Sequence, residues 1–486
     1  MKSALALLTV LICSGWDALA LEVYLLRHGE TSWNRAKVLQ GTTPYTDLTD
    51  KGVAMAEATG AGLKAAGVSF DRVYASPLRR TVHTAELVCR PFGLKAVTDV
   101  RLQEMDFGDY QGVRYDAATC TDGNLRLFYE DISRFQPRGK TAESLVQVAT
   151  RLGDFLEQEL KPLDGTCERV LCVTHSMVIK SYLESLGGGR PAGLIRNCGV
   201  VVLELRDGCF RVKESGRVFY DTAAFDAMKA PRIVAHRGAC DLEMAEATRA
   251  AYSNAVARVA DIVKLDVQET RDGVVVMGHD ETLKRNMGWD VRISQVDYAE
   301  ICAKGRFRPH AGYPEETIVR LDEALEIVRP IPEIWIDFKA FSYALFERVL
   351  EQVRRAGIDE SRIMVANFNP ATLEYLQHYH PNIQRVAHIG FSKDKAGRLL
   401  FNGRVCNDPV AELLRLRDRL GLYGVNVPVL PKAAHRMTPD EIAALKEAGL
   451  WVSLWFVQTS EVAEEYALSP ADALVTDHGT QIRKGR

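Results

Sequence analysis

Eight short apolar runs recur through residues 230–486, at 233–236, 262–267, 334–339, 363–368, 385–389, 422–427, 451–455 and 473–476. Helix-like amphipathic stretches separate them. A further run, 274–277, follows the second so closely that it reads as a hairpin arm. Strands alternating with helices pair in parallel, because a parallel neighbour needs a long crossover. Eight such units, over a span close to the roughly 250 residues typical of the fold, predict a closed (β/α)8 barrel. Residues 21–222 carry a separate alternation, with strand signals at 21–26, 72–75, 170–174 and 200–205. That pattern predicts a three-layer α/β/α unit. The Ala-rich, strand-poor stretch 221–231 reads as the linker. The chain is thus α/β throughout.

The first twenty residues differ in kind. Lys2 precedes the apolar run 4–13, and Ala18-Leu19-Ala20 follows. A charged start, a short apolar stretch and an A-x-A site describe a secretory leader, expected to be cleaved after Ala20. The run is too short for a bilayer span of about 20 residues, so no stable membrane anchor is expected. The reading is a secreted or periplasmic protein. Loss of Cys13 leaves cysteines 89, 120, 167, 172, 198, 209, 240, 302 and 406, an odd set without C-x-x-C spacing. Most are expected to be packing residues, with at least one free. Lys plus Arg (61) nearly balances Asp plus Glu (64), so nothing suggests a nucleic-acid partner.

In the first unit, Arg27-His28-Gly29-Glu30-Thr31 closes a strand signal and Trp33-Asn34 follows. Further on come Ser76-Pro77-Leu78-Arg79-Arg80, then Glu104 with Phe107-Gly108, then Thr174-His175-Ser176 after another strand signal. Ligand sites in open α/β sheets form at the carboxyl ends of strands. A phosphate monoester needs fixed cationic donors, which Arg27 and Arg80 can supply in planar, bidentate form. His28 can be neutral near pH 7 and attack phosphorus without a separate base. Glu104 can protonate a leaving alkoxide, and His175 can add a second imidazole donor.

These stations, in this order, resemble the histidine phosphatase superfamily, the phosphoglycerate mutase-like proteins. The resemblance implies a phosphohistidine at His28, no cofactor, and a substrate-contacting Asn34. Ser176 stands where the family usually has Gly, a change expected to adjust shape and not chemistry. Mutases share the motif set. The short unit and the expected export point to a phosphatase acting on small phosphomonoesters.

In the second unit, His236-Arg237-Gly238 is followed by Glu246, Lys264-Leu265-Asp266, Thr270-Arg271-Asp272-Gly273, His279-Asp280 and Asp337-Phe338-Lys339. The pattern resembles the glycerophosphodiester phosphodiesterase family and the related sphingomyelinase D-like phospholipases. The resemblance implies His236 and His279 as acid and base and Asp266 and Asp337 as metal ligands. It places Arg237 and Lys339 on the substrate. Trp455 either walls the pocket or belongs to the core. One departure is serious: Lys264 stands where the family has a carboxylate. A hard divalent cation such as Mg2+ or Ca2+ wants anionic oxygens, and an ammonium removes one. Three readings stay open. Lys264 replaces the cation and faces the phosphodiester, or the remaining carboxylates hold a weak metal, or the barrel is inactive and binds a phosphodiester or a partner.

A diesterase makes a monoester, and a phosphatase consumes one. The fusion is expected to act in sequence on glycerophosphodiesters, lipid headgroups or sugar phosphodiesters, its linker keeping the two sites at high effective concentration.

Overall fold

The computed structural model describes residues 20–115, 122–187, 195–227, 231–238, 245–257, 260–307, 315–340, 342–430, 432–455, 457, 462, 466 and 470–477. The expected leader, apart from Ala20, lies outside the described residues, as do Cys13, Cys120 and Cys240.

The N-terminal sheet contains β1 (Glu22–Arg27), β2 (Arg72–Ala75), β3 (Val97–Thr98), β4 (Arg169–Thr174), β5 (Val200–Arg206) and β6 (Cys209–Arg217), in the order β3-β2-β4-β1-β5-β6. Strands β1 to β4 run parallel to their neighbours, while β5 and β6 are antiparallel. Its helices are α1 (Ser32–Arg35), α2 (Asp50–Ala65), α3 (Arg79–Cys89), α4 (Gly123–Glu130), α5 (Leu145–Phe155) and α6 (Ser176–Ser185). Alternate residues of a strand point to opposite faces, and β1 divides accordingly. Tyr24 and Leu26 pack with Leu63 of α2 and Val88 of α3. Val23 and Leu25 pack with Leu152 of α5 and Val178 of α6. Three layers result, as expected. The sequence reading missed β3 and β6, because β3 is two exposed residues and β6 is a largely exposed edge with register shifts.

The barrel strands are β7 (Arg232–Ala235), β8 (Ile262–Glu269), β10 (Glu333–Phe338), β11 (Ile363–Asn367), β12 (Gln384–His388), β16 (Gly424–Pro428), β17 (Trp451–Trp455) and β18 (Ala473–Thr476). All pair in parallel, and β18 on β7 and β8 on β10 complete the closure. The 274–277 run is the antiparallel arm β9 (Val275–Met277) on β8. An antiparallel sheet of β13 (Phe391–Lys393), β14 (Leu399–Phe401) and β15 (Arg404–Val405) was not foreseen, since its strands are two or three residues long. The expected linker holds a short helix, Thr222–Ala227.

The two units meet through the barrel's floor, the end where its strands begin. Trp33 Nε1 donates to the carbonyl of Pro330 at 2.9 Å, and the Arg362 guanidinium lies 4.8 Å over the Trp33 ring. Arg35 pairs with Asp261. The backbone N–H of Arg114 donates to Ser361 Oγ at 2.9 Å, and its Nη2 meets Glu333 Oε1 at 2.6 Å. Glu333 also pairs with Arg232 and is fully buried. Removing one partner of a buried ion pair leaves the other charge uncompensated, at a cost of about 3–5 kcal/mol. Glu333→Gln is therefore expected to lower the calorimetric unfolding midpoint by roughly 10 °C. An unchanged midpoint would show that Arg114 and Arg232 find other partners.

No helix among the described residues is long and apolar enough to cross a membrane. The seven described cysteines are free, five of them buried.

Candidate active sites

His28 follows the last residue of β1 and is 3% exposed. Its Nδ1 lies 2.7 Å from the carbonyl of Gly29, which can only accept. The proton therefore sits on Nδ1, and Nε2 carries the lone pair. Burial, then the charges of Arg80 and Arg27, holds the imidazole pKa well below its ordinary value. His28 is thus neutral and nucleophilic down to acid pH.

A small cavity of about 40 Å3 brings together Arg27, His28, Asn34, Arg80, Glu104 and Ser176. Arg80 is fully buried in α3. Its Nη1 donates to the Thr43 carbonyl at 2.9 Å and to Thr46 Oγ1 at 2.8 Å, and its Nη2 to the Gly41 carbonyl at 2.7 Å. Gly41 has φ +50°, and a Cβ there would sit 2.1 Å from Gln111 Oε1, so only glycine keeps that carbonyl in place. The fork expected to face the phosphate is thus largely held by the 41–46 loop. Its Nε is a buried donor without a partner, as are Arg27 Nε and Ser176 Oγ, and His175 Nδ1 is likewise a buried polar atom without one. Ser76 Oγ lies 2.8 Å from His175 Nε2, and its O–H donating there leaves the proton on Nδ1. The His28 and His175 rings stand edge to face, 5.2 Å apart. Buried polar groups lacking partners are costly, and this set matches the oxygens of a phosphoryl group on His28.

Asn34 lines the cavity, but its Oδ1 accepts from Thr31 N at 3.1 Å and Asn197 Nδ2 at 3.2 Å. Its amide oxygen therefore serves the loop. Glu104 is buried, and desolvation keeps its carboxyl pKa above the ordinary range despite Met105 N–H, Arg80 and Arg27. A proton retained there can go to a departing alkoxide. Among the described residues, the rest of the lining is mainly Val38, Leu39, Phe107, Tyr115, Phe128 and Met177, with no third cation.

The working state needs neutral His28 and protonated Glu104, so turnover is expected to peak on the acid side of neutrality. Glu104→Gln should slow an alkyl phosphate about 100-fold and remove the alkaline limb of the profile. It should spare the first-turnover burst of p-nitrophenol from p-nitrophenyl phosphate, whose leaving group needs no proton. Equal slowing of first-turnover alcohol release from both substrates would rule out the acid role.

In the barrel, His236 and Arg237 follow β7, Lys264 and Asp266 lie on β8, and Asp337 lies on β10 directly opposite Asp266. Lys264 is 4% exposed and Asp266 is 1% exposed. The Lys264 ammonium pairs with Asp266 and lies 2.8 Å from Asp337 Oδ2. Lys339 Nζ stands 3.0 Å from Asp266 Oδ1 and 2.7 Å from Asp337 Oδ2. Arg237 Nε lies 3.2 Å from Asp266 Oδ2, and its Nη1 donates to Glu246 at 2.7 Å. Arg237 reaches both from a left-handed backbone, φ +52°, a strained conformation of the kind concentrated at functional sites.

Burial opposes the Lys264 charge, but Asp266 and Asp337 outweigh it and raise its pKa. Against their own desolvation, Lys264 holds both carboxyls below the usual range. The positions that the resemblance gave to metal ligands are therefore occupied by ion pairs. Among the described residues no group of three or more His, Cys, Asp or Glu is arranged to hold a metal. An ammonium between the two aspartates does not fit a divalent cation, which needs those oxygens for itself.

His236 Nδ1 is 2.8 Å from Asp477 Oδ1, and His279 Nδ1 is 2.7 Å from Asp280 Oδ1. Each carboxylate places the ring proton on Nδ1 and leaves Nε2 to exchange protons with a substrate. Desolvation lowers both pKa values; Lys264 and Arg237 add to this at His236, and Lys339 and Arg237 at His279.

The sequence reading missed Asp477 and His388. His388 Nε2 lies 3.2 Å from Asp337 Oδ2. Asn426 Nδ2 donates to His388 Nδ1 at 2.9 Å, and Ser453 Oγ donates to Asn426 Oδ1 at 2.8 Å. That relay fixes His388 as the Nε2–H tautomer and so fixes Asp337. The available signal was position: both residues close apolar strand runs. Trp455 is half-buried, 6.4 Å from the exposed ring of Phe368, which stacks on His388 at 4.7 Å. It stands at the barrel mouth, with part of its surface packed on the barrel core.

Residues 23–217 match the histidine phosphatase superfamily (branch 1), and residues 236–480 match the glycerophosphoryl diester phosphodiesterase family. A 2,3-bisphosphoglycerate-dependent phosphoglycerate mutase from Azorhizobium caulinodans is 32% identical over 177 residues, 35% of this chain and 84% of the relative. A phosphoglycerate mutase structure from Bacillus anthracis is 27% identical with a TM-score of 0.36, covering 41% of this chain and 94% of its own. A glycerophosphodiester phosphodiesterase structure from Thermotoga maritima is 21% identical with a TM-score of 0.40, covering 53% of this chain and 98% of its own. The chain belongs to the histidine phosphatase superfamily over its N-terminal part and to the glycerophosphoryl diester phosphodiesterase family over its C-terminal part, a fusion of two families of phosphoric-ester enzymes.

Proposed function

We propose that the chain is an exported bifunctional hydrolase. In this reading the barrel cleaves a glycerophosphodiester-type substrate without a divalent cation, and the N-terminal unit removes phosphate from the resulting monoester. The observation that carries it is the Lys264 ammonium between Asp266 and Asp337. Lys264, Lys339 and Arg237 gather about those two aspartates, with Arg237 shared with Glu246. Such fixed cationic donors suit a phosphodiester monoanion.

His236 takes the proton of a substrate hydroxyl as its oxygen bonds phosphorus. The P–O bond to the leaving alcohol breaks, and His279 supplies that alcohol's proton. The cyclic phosphate opens with water to a monoester. In the N-terminal site, Nε2 of His28 bonds phosphorus, the P–O bond to the alcohol breaks, and Glu104 protonates the alkoxide. Water then attacks the phosphohistidine, giving its proton to the Glu104 carboxylate, and phosphate leaves. Phosphatase is preferred over mutase because a phosphoglycerate carries a carboxylate, and among the described residues the cavity lining has no third cation to meet it. The leader-like N-terminus supports export.

The test is to incubate the purified protein with glycerophosphocholine, with and without EDTA, and follow diester, monoester and phosphate. Loss of diester with release of phosphate in both samples is expected. Intact diester alongside rapid monoester hydrolysis would sink the bifunctional reading.

A further inference from the structure

Ser176 opens α6, a ten-residue helix that leaves β4 directly after His175. The buried residues of that helix include Met177, Val178, Ile179, Tyr182 and Leu183, which root it on the sheet, so its first turn cannot swing away from the cavity. His175 occupies the N-cap position, yet its side chain does not cap the helix. Its ring is turned to Ser76 instead. The positive end of the α6 dipole therefore meets the cavity uncapped by a side chain.

The second observation is independent of the helix end. Ser176 is 6% exposed, and its Oγ is buried with no hydrogen-bond partner. A serine at the first turn of a helix ordinarily finds a carbonyl or solvent. A buried hydroxyl left unmatched is unfavourable, because it has given up its hydrogen bonds to water. The residue lines the same cavity as His28, Arg27, Arg80 and Glu104. A glycine at this position would give the same backbone and no such cost.

We infer that Ser176 is a substrate-contacting residue whose hydroxyl donates to a non-bridging oxygen of the phosphoryl group on His28. Arg27 and Arg80 meet the group from their own sides through their Nε atoms, and His175 from another. The hydroxyl adds a short, neutral donor on the α6 side, where no cation stands among the lining residues. Its work is greatest when the phosphoryl oxygens carry the most charge, during transfer to and from His28. Its loss should therefore fall on kcat more than on KM. The assignment replaces the expectation that the serine merely adjusts shape, and it rests on the phosphatase reading above.

The experiment uses the full chain with Ser176→Ala and Ser176→Gly, beside His28→Ala. Orthovanadate serves as the probe of the transferring phosphoryl group. Both serine variants should lower kcat for a monoester about tenfold to hundredfold, the range for a hydrogen bond to a charged group. The vanadate inhibition constant should rise by a similar factor. KM should move less than threefold, and the unfolding midpoint should hold. Either variant matching wild type in kcat and in vanadate inhibition overturns the inference, and so does a loss with alanine that glycine restores, because shape would then be the cause. A chain still releasing phosphate with His28→Ala would overturn the phosphatase reading itself. An inert His28→Ala chain beside unaffected serine variants would overturn only the role of Ser176.

Discussion

His28→Ala is expected to reduce phosphate release from monoesters by about 10^4-fold or more while leaving diester cleavage unchanged. The nucleophile has no understudy. His175 is held against Ser76, with its ring edge to face against that of His28. Fed a glycerophosphodiester, the variant should accumulate monoester that wild type consumes. The covalent step has its own signature. Briefly quenched wild type should carry protein-bound phosphate that is labile to acid and stable to base, and the variant should carry none. Phosphate release persisting in the variant would mean that the nitrogen on Nε2 does not attack phosphorus.

Lys264→Met should lower diester turnover by about 10^2- to 10^3-fold, because it removes the charge at the centre of the barrel site. Asp266 and Asp337 would then face each other with Lys339, Arg237 and His388 left to hold them. Added Mg2+ should not restore the loss. Lys264→Glu instead places a third carboxylate beside the two aspartates, a donor set that a hard divalent cation accepts. That variant should become dependent on Mg2+ or Ca2+ and sensitive to EDTA, whereas wild type should be indifferent to both. Wild-type cleavage abolished by EDTA would refute the lysine's role. Monoester hydrolysis serves as the internal control, since Lys264 lies in the other unit.

The parts legible from sequence were those in which periodicity and local order carry the information. Eight apolar runs with helices between them gave the barrel strands, and the close spacing of the 274–277 run gave its antiparallel arm. Motif order gave His28, Arg80 and Glu104 around one cavity, and Lys264 beside Asp266 and Asp337. What stayed hidden depended on contacts between distant residues. Asp477 meets His236 across 241 positions, and His388 meets Asp337 across 51. No spacing rule joins such pairs until the barrel closes. Ser176 is a related case: a substitution shows what side chain arrived, but only burial shows that its hydroxyl has no partner in the fold. Edge strands such as β6 lack an apolar face and leave little trace in the pattern.

The docking of the N-terminal unit on the barrel floor bears on traffic between the two reactions. Trp33, Arg35 and Arg114 touch residues at or before the starts of barrel strands, while His236, His279 and Lys339 stand at the opposite ends. Asp261 immediately precedes β8 and Asp266 lies on it five positions later, about 17 Å along the strand at roughly 3.3 Å per residue. A monoester leaving the barrel mouth therefore departs on the side away from the partner unit and must travel through open solvent. On the bifunctional reading, joining the two units in one chain secures equal doses of both activities at the same place. It gives the intermediate no private route, and other consumers of the monoester compete for it on even terms.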